Sequence, residues 1–208
     1  MITQIEVNDK NGQRVRDVHL LGLESVRGKN MFLTSDEEIE STVRSANPSI
    51  ETVQAYKQFP QTVSLVIRFQ KPSAFLSAGK TRFYELASDG TILQYLYERP
   101  ENLGEIRYYQ SLAPTDLVLG KPVGSRDVQF AAGIGAILQK HGFSESIIEI
   151  HDTRLILVNT GDFSIKAAAE SDMQKQLNSL DQLLRIIQKG GEKIKSADIR
   201  FDKIIIEK

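Results

Sequence analysis

Three histidines are the first residues to test for chemistry, because imidazole serves both as a general base and as a metal ligand. His19, His141 and His151 lie far apart in the chain, without the H-x-x-x-H spacing that sets two ligands on one helix face. No zinc or iron centre is expected; His141 and His151 read as surface-turn residues and His19 as a packing residue beside leucines. Asp36, Glu37 and Glu38 form a run of three acids. Carboxylates in a first helical turn are what the helix dipole favours, so their expected role is to start a helix. Gly133-Ile134-Gly135 has no third glycine at dinucleotide spacing and follows Gln-Phe-Ala-Ala, not a strand, so its small residues read as a place for close helix packing. No G-x-S-x-G, phosphate loop or H-E-x-x-H occurs. Tyr95, Tyr97, Tyr108 and Tyr109 are the aromatic concentration; in a chain without excess positive charge they read as half-buried packing groups, not a base-stacking platform. The expectation is a protein without catalytic residues, metal or cofactor.

Composition points the same way. With 208 residues, 40% hydrophobic and 25% charged, the chain has enough apolar material for one or two compact domains. A net charge of -1 offers no basic face for phosphates, so nucleic acid is not an expected partner. The absence of cysteine removes disulfides and thiol chemistry and leaves the compartment open. FAAGIGAIL, at 130–138, is about half the roughly 20 residues a membrane helix needs. MITQIEVND has no basic-then-apolar start, so neither a span nor a signal peptide is expected within these residues.

Hydrophobic periodicity supplies the elements. ITQIEV, residues 2–7, reads as a strand, followed by a turn at NDKNG and a short helical stretch with Val18, Leu20, Leu21 and Leu23 behind Asp17. Thr34 with Glu37, or Ser35 with Glu38, makes a capping box for a helix over about 35–46 that Asn47-Pro48 ends. SIETVQAYK and TVSLVIRF are strands joined across Phe59-Pro60, the second with Val63, Leu65, Ile67 and Phe69 on one face. Lys71-Pro72 marks a domain boundary.

Beyond it, strands are expected at 74–78, 81–87 and 91–97, the last two joined at Asp89-Gly90. Residues 98–125 read as a long loop, packed or mobile. A helix carrying Val128, Ala131, Ala132 and Leu138 stops at His141-Gly142, and a hairpin turns about His151-Asp152-Thr153. Met173, Leu177, Leu180, Leu184 and Ile187 form the apolar stripe of a helix closed by Gly190-Gly191, and ADIRFDKIIIEK supplies one last strand. Helices packed against antiparallel hairpins define an α+β class, with a mainly antiparallel second domain.

KNMF, TSDEEI, PSI and then VQAYKQFPQTVSLVIRFQKPSA occur in this order. Together they resemble the polypeptide-transport-associated (POTRA) domain, and its exit, of the bacterial FtsQ/DivIB cell division family. FYELASDGTIL and ADIRFDKIII resemble that family's strand–turn–strand and closing strand. The resemblance implies a POTRA-like domain over 1–71 and an FtsQ/DivIB-type β-domain over 72–208. It further implies a full-length protein anchored in the cell membrane by one helix outside these residues, with the chain on the extracytoplasmic face at the division septum.

By the same resemblance the expected function is a non-catalytic divisome scaffold. It would recruit FtsB/DivIC-like and FtsL-like coiled-coil proteins by edge-strand pairing and help control septal peptidoglycan synthesis. Other division proteins would meet the POTRA domain. The matching positions are Asp198, Ile199, Arg200, Phe201, Asp202, Lys203 and Ile204. Arg200 is the expected charged contact and Phe201 the apolar anchor, while a period of two would instead place Phe201 in the core with Ile199 and Ile205. The alternative reading is a POTRA-containing transport or outer-membrane assembly factor with chaperone-like binding.

Overall fold

Apolar alternation builds the first sheet from β1 (Gln4–Asp9), β2 (Ile50–Gln58) and β3 (Thr62–Phe69), in the order β1-β3-β2. β3 runs parallel to β1 and antiparallel to β2. The computed structural model of the chain describes residues 1–9, 20–79, 81–190, 194–201 and 203–208. The expectations for Lys10–Gly12, Asp17, Val18, His19, Gly191 and Asp202 lie outside the described residues.

Two helices, α1 (Leu23–Val26) and α2 (Asp36–Ala46), stand between β1 and β2 in the chain. Of the two possible caps, Ser35 is the one used: its hydroxyl accepts from the Glu38 backbone N–H at 3.1 Å. Asp36 and Glu38 pair with Lys57 and Lys29, so the acidic run starts a helix and anchors it. Ile39 and Val43 reach the same core as Val63, Leu65 and Ile67. Each such buried side chain contributes about 1.5–3 kcal/mol. Phe69, expected on that inward face, is 37% exposed, at the end of β3 where the register with β2 shifts between Ile50 and Thr52.

The contacts within the chain divide it between Gln70 and Lys71. The second unit is built on one mixed sheet of nine strands. These are β4 (Ala74–Ser77), β5 (Phe83–Leu86), β6 (Ile92–Leu96), β7 (Gly104–Tyr108), β8 (Ile147–Asp152), β9 (Leu155–Asn159), β10 (Ser164–Ala167), β11 (Ser196–Asp198) and β12 (Ile205–Glu207). Their order is β12-β11-β10-β9-β8-β7-β4-β5-β6. The pairs β4–β7, β7–β8 and β10–β11 are parallel and the rest antiparallel. Helices α3 (Arg126–Lys140) and α4 (Met173–Gly190) supply the other layer of its core. The class is α+β.

Two strands inside the large sheet exceed the sequence expectations. β7 lies inside the stretch read as a loop, and β10 lies in a stretch assigned no element. Among the described residues β7 is central, flanked by β4 and β8. Ile106 enters the core at 0% exposure, whereas Glu105 carries a charge into the sheet at 8%. Glu105 accepts from Ser77, Arg99 and Arg107 at 2.7, 2.9 and 3.1 Å. Burial pushes this carboxyl up, but the bonds from Arg107 and Ser77 and the two guanidinium charges outweigh it and hold the group low.

The small residues of α3 have the packing role expected of them. A Cβ on Gly135 would lie 2.9 Å from the Ala74 Cβ and 3.0 Å from the Ser73 carbonyl oxygen. His141 is not a surface-turn residue: its side chain is 7% exposed and its ring bonds Gln188 and Asp181 of α4 at 3.0 and 2.9 Å. On α4, Gln176 donates to the Ala168 carbonyl and accepts from its N–H, occupying a backbone pair that follows β10.

Candidate partner-binding edge

The end of the chain folds into two short strands in place of the one expected. β11 lies between β10, parallel, and β12, antiparallel, with Asp198 opposite Ile205, Ala197 opposite Ile206 and Ser196 opposite Glu207. The reversal follows from residues 198–200. Asp198 accepts the Arg200 backbone N–H at 3.1 Å, its Nε at 2.9 Å and its Nη2 at 2.6 Å. A fork donor closed on one carboxylate two residues earlier bends the chain out of the strand. The Arg200 guanidinium holds Asp198 below the usual carboxylate range, against the opposing effect of partial burial.

The residues singled out by the sequence therefore have different roles. Asp198 ends β11 and Arg200 is committed to it. Ile199 is 1% exposed, donating its N–H to the Lys166 carbonyl. Phe201 is 56% exposed, so it does not join Ile199 in the core, and the Arg200 guanidinium sits 5.4 Å from its ring centroid. Lys203 is exposed and Ile204 packs partly against the core.

The free margin itself is β12, which sequence reasoning did not separate from the preceding segment. Among the described residues its one strand neighbour is β11. Ile206 shares a face with buried Ala197, yet it is 44% exposed, and Ile205 is 58% exposed. Three consecutive isoleucines gave no alternation from which to choose an inward face. β12 combines an open backbone edge with two exposed branched side chains, the arrangement that β-augmentation uses.

Among the described residues the other candidates are weaker. Among the described residues no group of three His, Asp or Glu side chains is placed to hold a metal ion. A cleft of about 580 Å³ is lined by Ser77, Arg82, Tyr84, Tyr108, Gln110 and Leu117, among others, but the Ser77 hydroxyl is donated to Glu105. His151 stacks on Tyr109 at 5.0 Å. Among the described residues no helix is long and apolar enough to cross a membrane. No protein-family model matches this chain, and no curated protein matches it either.

Proposed function

We propose that this chain is the extracytoplasmic part of an FtsQ/DivIB-like cell division protein. It acts as a non-catalytic divisome scaffold, held in the cell membrane at the septum by a helix outside these residues. The observation that carries the reading is the place of β12: it is the terminal strand of the large sheet, and three residues separate its start from the Asp-Ile-Arg-Phe segment through which the resemblance runs. The order strand, helix, helix, strand, strand in the first unit supports its reading as a POTRA-type domain, open to further division proteins.

In this account an extended segment flanking a coiled coil of an FtsB/DivIC-like protein, with an FtsL-like partner, adds a strand outside β12. Backbone bonds supply the pairing, and Ile205, Ile206 and Phe201 receive apolar side chains. Arg200 acts indirectly by holding the turn, not as a direct charged contact. The scaffold then positions its partners to control septal peptidoglycan synthesis.

Calorimetric titration with the extracytoplasmic segment of an FtsB/DivIC-like protein tests this. Ile206→Pro removes an edge N–H and Phe201→Ala removes an exposed ring. The proline is expected to weaken binding by at least about tenfold and alanine by a smaller factor. Unchanged affinity in both variants, with the fold intact by circular dichroism, would reject β12 as the docking strand.

A further inference from the structure

The opposite margin of the nine-stranded sheet is β6, and its sequence is unlike that of a protected edge. Ile92–Tyr97 reads ILQYLY, six residues with no charge, proline or glycine. Exposed edges ordinarily carry such blocking residues because their unpaired backbone recruits other strands. Cover is present over the first residue: Ile92 donates to the Lys121 carbonyl at 3.0 Å and accepts from the Gly120 N–H at 2.9 Å. Past Ile92, among the described residues, no strand or loop backbone pairs with the outer side of β6. Tyr95 is half-buried against Tyr84, and Tyr97 is 75% exposed with its ring 4.7 Å from that of Tyr95.

We propose that this margin pairs antiparallel with the β6 margin of a second copy of the chain. A twofold axis perpendicular to a continuous sheet maps each face onto itself, so the register must set a residue opposite itself or opposite one an even number of positions away. Centred on Tyr95, the pairing sets Tyr95 against Tyr95. Tyr97 of each copy comes level with Leu93 of the other, a residue 6% exposed at the irregular step of β6 between Ile92 and Gln94. The exposed Tyr97 and half-buried Tyr95 rings therefore supply the apolar contact. The same register brings Glu98 of each copy level with Ile92 of the other, beside Lys121 in the loop that covers it. Glu98 and Lys121 are both exposed, and neither has an ion pair among the described residues. The twofold axis makes this opposite-charge meeting occur twice. A net charge of -1 per chain sets little long-range repulsion against it.

Charge is what selects a second copy over a foreign strand, since the complement to both Glu98 and Lys121 is already in the chain. The contact is short, five residues a side, so the dimer is weak, with Kd on the order of 10–100 µM. It is independent of β12 and of any division partner.

Sedimentation equilibrium of residues 1–208, from about 10 to 500 µM, decides it. The expected result is a monomer–dimer equilibrium that Tyr97→Lys weakens at least about tenfold, with an unchanged circular dichroism spectrum because Tyr97 lies outside the core. Glu98→Lys alone is expected to weaken dimerisation roughly three- to tenfold, and adding Lys121→Glu to restore it to within about twofold. A monomer throughout the range would overturn the proposal. So would a dimer indifferent to Tyr97→Lys, or one abolished by Ile206→Pro instead.

Discussion

The two margins of the large sheet manage the same exposed backbone in different ways. β12 is three residues long, closed behind by the Asp198–Arg200 clamp, and it ends in Glu207 with Lys208 next to it. β6 is longer and uncharged, and a loop covers its start alone. A short strand beside charges favours a reversible, specific occupant; an uncharged aromatic strand with one acid and one base at its ends favours its own twin. In the two proposals one sheet carries two docking edges of different selectivity, held about one core of α3 and α4.

That contrast requires the sheet between the margins to behave as one body, and Ile106→Ala is the severest way to break it. A fully buried isoleucine of central β7 is expected to cost about 2–5 kcal/mol on truncation. Chemical denaturation measures the loss, and amide hydrogen exchange is expected to accelerate in β4, β7 and β8 together. Acceleration confined to β7 would show that the two margins rest on separate substructures.

Asp198→Asn sharpens the contrast by loosening one margin. The expected loss is about 1 kcal/mol or less for a partly exposed pair, with faster exchange in β11 and β12 and none in β6. Its pH dependence follows from the direction of the shift. The Arg200 guanidinium depresses Asp198 in the folded protein, so its contribution is complete above the unfolded value near 3.9 and fades as pH falls through the lower folded value. Urea unfolding of wild type and variant should therefore differ by a constant amount between about pH 5 and 7 and converge below about pH 4. A difference that grew on acidification would contradict the clamp.

The parts of the fold that were legible in the sequence are those where local chemistry and core position agree. α2 shows a hydroxyl, three acids and an apolar face, and the structure uses all of them. β3 shows Val63, Leu65 and Ile67 at period two, and all three are buried. β7 was hidden because a central strand reading Gly-Glu-Ile-Arg-Tyr has a single aliphatic residue, and its buried acid finds its partners in Arg99, Arg107 and Ser77 of neighbouring β4, the last of which only the assembled sheet supplies. β12 was blurred because Asp198 and Arg200, read as surface contacts, spend their charges on each other. The resulting turn leaves the open edge at Ile205–Glu207, just past the matched positions 198–204 and overlapping the end of ADIRFDKIII.

The central claim is that β12, not β6 and not the first unit, receives the coiled-coil partner. An NMR titration of isotope-labelled 1–208 with the extracytoplasmic coiled-coil segment of an FtsB/DivIC-like protein tests it most directly. Backbone amide shifts centred on Lys203–Lys208 and spreading into β11, with β6 and the first sheet unmoved, are the predicted result. Shifts concentrated on β1–β3 or on β6, or no shifts at submillimolar partner with the protein folded, would contradict it.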